Sequence, residues 1–286
     1  MRPPVFCTLT LAAILGCAPL GGAAQGAGVS AKLHPWGLFD PGAWKTVRVV
    51  TETLDEQGQV VSTSTTDTKT TLVDIDNDGV TLEIQACMEV AGKRFEAEPQ
   101  TVKQGFHGEL IGPNLTLKKP TDGEVAIEGR KIPCKVQQLE SVVPNGKTVT
   151  TIYYSTTVTP YILKRESVTT DSEGKIVLGP TTVEVMALST PLKVQVRGER
   201  KKGIKVKTVH KNPNGVVTTE ADVLPEVPGG VVGNQSEEID KTGRLVRRST
   251  LELIDYNSDP DKDRSGMFSR KRPPRHRAKS TPRYGP

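Results

Sequence analysis

The chain has 286 residues, of which 35% are hydrophobic, 4% aromatic and 25% charged. That length suits one large domain or two modest ones, with aliphatic residues set in short alternating runs that can build only a thin core. The net charge of +5 is unevenly placed: residues 264–286 contribute +8 with no acid among them, leaving −3 for everything before, so the basic balance says nothing about the partners of the folded part.

The N-terminus has the form of an export signal. Met1-Arg2 supplies a minimal positive start, and Val5 to Leu15 is an apolar run too short for a permanent membrane helix. Two processing routes are readable. Gly22-Ala23-Ala24 offers signal peptidase small side chains, giving a signal peptide over 1–24, while Ala13-Ile14-Leu15-Gly16-Cys17 resembles a bacterial lipobox, with Cys17 as the lipidation candidate. Either route places the mature chain in the periplasm, the outer envelope or the extracellular space. No later apolar run reaches about 18 residues, so no transmembrane helix is expected in the mature chain. Residues 25–43 read as a linker, with the Phe39-Asp40-Pro41-Gly42 turn leading into the first strand.

From Trp44 to Tyr256 strand signals dominate. Val80, Leu82 and Ile84 alternate with Thr81, Glu83 and Gln85; Leu192, Val194 and Val196 alternate with Lys193, Gln195 and Arg197; Ile204, Val206 and Thr208 alternate with Lys205 and Lys207. Successive side chains of a strand point to opposite faces, so each segment has one buried and one wet face, the pattern of antiparallel sheets. Between them, Gln57-Gly58, Asn77-Asp78-Gly79, Asp122-Gly123, Pro144-Asn145-Gly146, Glu173-Gly174, Pro213-Asn214-Gly215 and Thr242-Gly243 place Gly where tight hairpins need it. No segment after the signal shows a capped helical period.

Along this stretch, Asp74-Ile75-Asp76-Asn77-Asp78-Gly79 resembles the start of a calcium loop, making Asp74, Asp76 and Asp78 weak metal candidates. The twelfth position, where such a loop needs a bidentate Glu, is Gln85, and the strand that follows favours a hairpin turn. Cys87 and Cys134 are the two cysteines past the signal. An even pair in an oxidising compartment suggests a disulfide, worth about 4 kcal/mol in the chain-entropy model; two separate buried thiols are the alternative.

An internal repeat is visible in the second half. Pro144-Asn145-Gly146 matches Pro213-Asn214-Gly215 at an offset of 69, and Ser167, Asp171 and Gly174 match Ser236, Asp240 and Gly243 at the same offset. The repeated units span about 132–190 and 203–256, and 47–85 reads as a shortened copy through Gly58 and Gly79. Such units bury their apolar faces by joining one continuous sheet. The expected fold is all-β with little helix: roughly ten to fourteen strands in a large curved antiparallel sheet, half-barrel or barrel.

From Asn257 to Pro286 the composition turns to Pro, Ser, Asp and then Arg and Lys, too polar to offset ordering, so 257–286 reads as a disordered tail. Arg270, Lys271, Arg272, Arg275 and Arg277 are its polyanion-binding candidates. In an exported protein they point to anionic lipid or envelope polymer, with nucleic acid not expected.

Catalytic residues are not assignable. His34, His107, His210 and His276 lie in no metal-ligand spacing, and no nucleophile elbow, Walker motif or cofactor loop occurs, so no cofactor is expected. Three stretches do carry a resemblance: Ile132-Pro133-Cys134-Lys135-Val136, Ile152-Tyr153-Tyr154-Ser155 and Pro160-Tyr161-Ile162-Leu163-Lys164-Arg165-Glu166. Run consecutively, they resemble a pattern of uncharacterised exported bacterial β-sheet proteins, and more loosely the periplasmic lipoprotein carriers, whose curved sheet shelters acyl chains. The resemblance implies an exported binding or structural protein, with a carrier of lipid or other apolar ligand as the alternative and a hydrolase third. The chain departs from the carriers in lacking the helices that plug their concave face.

Overall fold

The computed structural model describes residues 31–108, 115–143, 146–194, 196 and 198–260, so the signal segment with Cys17 and the Arg270–Arg277 cluster lie outside the described residues. Within them the chain is all-β. After a 3-10 turn at Ala31–Leu33 come β1 (Trp44–Leu54), β2 (Val60–Ile75), β3 (Gly79–Val90), β4 (Lys93–Glu96), β5 (Gln100–Gly105), β6 (Leu115–Leu117), β7 (Thr121–Ile127) and β8 (Arg130–Val143). There follow β9 (Gly146–Tyr154), β10 (Ile162–Thr170), β11 (Ile176–Val194), β12 (Glu199–Asn212), β13 (Gly215–Val223), β14 (Val231–Asp240) and β15 (Leu245–Asn257). All fifteen join one antiparallel sheet in the order β4-β3-β2-β1-β15-β14-β13-β12-β11-β10-β9-β8-β6, with β5 also on β3 and β7 also on β8. The sheet is open and curved.

The count exceeds the ten to fourteen strands expected because both edges are broken into short pieces. The β4 and β5 strands share the free edge of β3, and β6 and β7 share that of β8. Strands of three to seven residues are too brief for alternation to declare them. Short edge strands also deny a second chain a long row of unpaired backbone groups.

Register sorts the residues onto two faces. Val47 lies opposite Leu253 and Val49 opposite Leu251, while Leu72 lies opposite Leu82, so these aliphatics share an inner face. On the outer face Arg48 forms a two-pronged pair with Asp67 at 2.7 and 2.8 Å, and Arg248 pairs with Glu52. Such exposed pairs each contribute ~1 kcal/mol or less, so the inner face holds the sheet together.

How far the sheet curls can be read from one contact. His107 follows β5, ten strand steps from β9 in the sheet order. Laid flat at the usual strand spacing, that separation would be roughly 48 Å. Yet the His107 ring centroid is 5.8 Å from that of Tyr154 on β9. The two ends of the sheet therefore meet through side chains, without ladder hydrogen bonds.

The inner face is filled by the chain's own connections. Leu224 and Val227, from the loop between β13 and β14, join Val47, Leu192, Leu251, Leu253 and Tyr256 in one core cluster. The β7–β8 hairpin folds across the sheet, laying Ile127 and Cys134 on Leu163, Val185 and Ile204, and Glu128 Oε2 accepts the Leu188 backbone N–H at 3.3 Å. Residues 31–43 are not a free linker: Trp36 packs on Leu72, Val80 and Leu82. The loop makes room for the indole at Gly229, whose φ is +69° and where a Cβ would stand 2.7 Å from the ring. The concave face thus has a plug after all, built from coil and loop instead of helix.

Three hairpin turns are built alike. The Oδ1 atoms of Asp55, Asp171 and Asp240 each accept the backbone N–H groups two and four residues on, at 2.8 to 3.1 Å, and Gly58, Gly174 and Gly243 supply the positive φ. These bonds put Gly58 in the class of Gly174 and Gly243. Gly79, read as its partner in the shortened copy, closes a different turn, in which Asp76 accepts the N–H groups of Asp78 and Gly79.

Candidate functional site

Two irregular segments meet two strands where the ends of the sheet approach each other. Alternation on β9 turns Ile152 and Tyr154 to one face; Tyr161 and Arg165 belong to the adjacent β10 arm. Onto these come His34 from the N-terminal segment and His107 from the turn after β5, whose Gly108 lies so close to the Arg165 guanidinium that a Cβ there would meet it at 3.0 Å. His34 and His107 are only 4% and 3% exposed, so neither imidazole reaches bulk water. The His107 ring stacks on Tyr161 at 6.3 Å and 21°, and Tyr154 and Tyr161 lie 5.0 Å apart.

Electrostatics fixes the protonation of both rings. Burial lowers each to about 4, and the Arg165 charge adds to the effect, so both are neutral near pH 7. The Trp36 backbone N–H donates to His34 Nδ1 at 3.2 Å, which leaves the proton of the neutral ring on Nε2. His107 Nδ1 is buried without a hydrogen-bond partner. Burial, first, and the neighbouring Tyr154, second, push the Tyr161 phenol far up, so it stays neutral.

A second buried group lies beside the same segment. Lys45, 8% exposed, sits on the inner face of β1, donating from Nζ to the Val231 carbonyl at 3.2 Å and lying 5.8 Å from the Trp36 ring centroid. Burial alone lowers its pKa to about 8. The interior therefore holds a lysine, two neutral imidazoles and the Tyr161 phenol, with Arg165 and Tyr154 half-buried at its margin. Imidazoles held neutral this way can hydrogen-bond, stack and take up protons in acid. Among the described residues, His34 accepts from the Trp36 N–H, His107 packs on Tyr154 and Tyr161, and the Arg165 charge acts on both rings.

The residues singled out from sequence lie elsewhere. Asp76 caps its turn and also accepts from Lys103 Nζ at 2.5 Å, with Asp78 3.9 Å from the same ammonium and Asp74 paired along β2. A lysine thus stands where a cation would need to approach, and no group of three metal-binding side chains occurs among the described residues. Cys87 and Cys134 are free thiols: Cys134 is buried in the β7–β11 core cluster, while Cys87 lies on the outer face of β3 beside Arg94. The expected bridge is not formed, because β3 and β8 present their cysteines to different surroundings. His210 bonds Thr181 across β11 and β12 at 2.6 Å. The His34–His107–Arg165 grouping was not readable, because its members lie on segments that nothing local connects. Lys45 was readable in part, since alternation through Trp44-Lys45-Thr46-Val47 puts it on the face of Val47.

Two grooves of about 200 and 290 Å³ lie on the outer face, lined respectively by Asp67, Lys69, Cys87 and Arg94 and by Glu52, Gln235, Glu237 and Arg248. Charged walls of this kind suit water and ions better than acyl chains.

No protein-family model matches the chain, and no curated protein does. Among solved structures, a lipoprotein candidate from Parabacteroides distasonis is 12% identical over 79% of this chain and 98% of its own, with a TM-score of 0.32. An exported-protein candidate with a YmcC-like fold from Bacteroides fragilis is 8% identical over 77% of this chain and 97% of its own, at a TM-score of 0.30. A DUF1329 family protein from Desulfovibrio piger is 9% identical over 76% and 85%, at a TM-score of 0.32. No residue role passes from them to this chain.

Proposed function

We propose that this chain is an exported, non-catalytic protein of the envelope or extracellular space that works by binding or scaffolding. Support for export comes from the 1–24 segment, with its positive start, apolar run and small-residue end. The observation that favours this reading over a carrier of apolar ligands is the filled inner face. Trp36, Leu224, Val227 and Pro228, all at most 6% exposed, occupy the volume in which a curved-sheet carrier would hold its ligand. What remains for function is the polar outer face and the basic 264–286 segment, suited to anionic lipid or envelope polymer.

Native mass spectrometry of protein purified from its own host tests this reading. The expected result is a polypeptide of the processed mass with no co-purifying amphiphile. A stoichiometric lipid surviving in the spectrum would overturn it in favour of the carrier. The same spectrum reads the mature N-terminus, where an acylated Cys17 and a chain beginning after Ala24 differ in mass.

A further inference from the structure

We propose that this protein stands end-on at an anionic lipid surface: the end of the sheet from which both termini leave faces the lipid, and the hairpin turns of the opposite end point away from it. This orientation rests on the reading that residues 264–286 bind such a surface, and goes beyond it by fixing which part of the fold meets the lipid. Strand pairing defines the two ends. Trp44, which opens β1, lies opposite Asn257, which closes β15, so the chain enters and leaves the sheet side by side. The two segments stay together beyond the ladder, since a Cβ on Gly42 would stand 3.3 Å from the Pro260 side chain. Gly42 and Ala43 are tied to Leu72 by backbone bonds of 2.7 and 2.8 Å, and the Gly229 N–H bond to the Pro35 carbonyl holds the same segment on the β13–β14 loop.

The β1–β2, β10–β11, β12–β13 and β14–β15 turns lie at the far end, as the antiparallel order requires. Along the 11 residues of β1 that is roughly 36 Å away. Arg264, the first of the C-terminal basic residues, follows Pro260 so closely that the chain between them spans at most about 14 Å. The basic charge therefore issues from the end shared with the N-terminal segment and cannot begin at the turns.

The folded part has its own cations at this end. The β11–β12 connection lies there, and Lys193 stands directly opposite Arg200, with Lys202 next along the same face. All three are exposed. The ion pairs of this corner go to Lys201, through Glu226 at 2.6 Å and Glu199 at 3.6 Å, leaving those three cations without one among the described residues. Like charges directly opposite in a sheet repel, a cost that an anionic surface removes. The acids of the β2–β3 turn, Asp76 and Asp78, also lie at this end but face Lys103. Everything before residue 264 sums to −3, so the body as a whole is not drawn to anionic lipid, and the placement of its cations decides which part approaches. A bilayer meets a whole end at once. A soluble polyanion gives no reason for the tail, the β11–β12 cations and the segment that leads back to Cys17 to share one end.

Two variants that lose the same charge from opposite ends test the direction. Lys193→Gln, Arg200→Gln, Lys202→Gln strips cations from the lipid-facing end, and Lys175→Gln, Lys211→Gln, Lys241→Gln strips them from the turns. Binding of the chain processed after Ala24 to phosphatidylglycerol–phosphatidylcholine vesicles is measured by co-sedimentation at low salt. The first variant should lose up to ~5-fold in affinity per charge, and the second should bind like the parent. In Cys87→Ser protein, whose Cys134 is buried, a fluorophore at Asp40→Cys should transfer energy to lipid-borne acceptors far more efficiently than one at Glu173→Cys. Equal losses in the two charge variants, or equal transfer from the two labels, would overturn the orientation while leaving lipid binding intact. Parent protein that binds no vesicles sinks instead the reading on which the orientation rests, and retention on heparin alone replaces lipid by an anionic polymer. Should a labelled variant fail to fold, the charge variants decide, since all six positions are exposed.

Discussion

Lys45 is the residue whose cost is easiest to measure. Its folded pKa of about 8 lies below the ordinary 10.5, so the unfolded chain holds the proton more tightly. The sign is then fixed: stability rises with pH between 8 and 10.5, and below 8 the full cost of burying the ammonium is present. That difference corresponds to about 3 kcal/mol, from which ~1 kcal/mol for the Val231 hydrogen bond must be subtracted. Lys45→Met, similar in length and content to stay in the Trp36 contact, should therefore stabilise the protein by about 2 kcal/mol at pH 7. Urea unfolding at pH 7 and pH 10 checks it, and the gain should shrink at the higher pH. Residue chemistry was the least legible level of this sequence. The calcium candidates turned out to be a turn cap, Asp76, and its neighbours around Lys103, because Asp-x-Asp-x-Asp-Gly suits a tight hairpin as well as a cation. His34, His107 and Arg165 gave no local signal, since only the curl of the sheet brings them together.

At the scale of elements, the aspartate-capped turns were legible and the short edges were not: Asp122-Gly123, expected as a hairpin turn, lies inside β7, whose turn into β8 is Glu128-Gly129. Asp171 and Asp240, found 69 residues apart in sequence, make the same pair of side-chain bonds to their own turns. Asp171→Ala removes both acceptor contacts at once and should cost about 1 kcal/mol, whereas Glu173→Ala in the same turn should change nothing measurable; thermal melts of the two variants decide. For Asp240 the Thr242 hydroxyl and then the Arg244 backbone N–H hold the carboxyl at about 2, so its contribution persists down to pH 3.8 and fades only towards pH 2. The described part of the segment expected as a linker over 25–43 is anchored by one indole, one close approach and the backbone bonds of Gly42 and Ala43 to Leu72, none of which leaves a periodic trace. Gly229→Ala tests that anchor. A methyl at a φ of +69° and 2.7 Å from the ring must displace Trp36, lowering the melting temperature and shifting tryptophan emission to the red.

For the whole molecule, the alternation of Val, Leu and Ile with Thr, Glu and Lys was enough to give an antiparallel all-β fold. Closure was not readable, because alternation says which face is buried and not how tightly the sheet bends. Charge at this scale separates body from tail. Deleting residues 264–286 should abolish binding to anionic vesicles at low salt, and binding by the full chain should fall steeply as salt rises, which co-sedimentation at several ionic strengths would measure. One further consequence lies in the strand order. The first long strand, β1, pairs with the last, β15, in the interior of the sheet, with Trp44 opposite Asn257. Strands β8 to β15 form one unbroken meander and β1 to β3 another, and each can zip up on its own as the chain emerges. The edge of β1 must wait for the last strand before the two meanders join into one sheet. Folding is completed only after synthesis, with a slow final step set by that long loop closure.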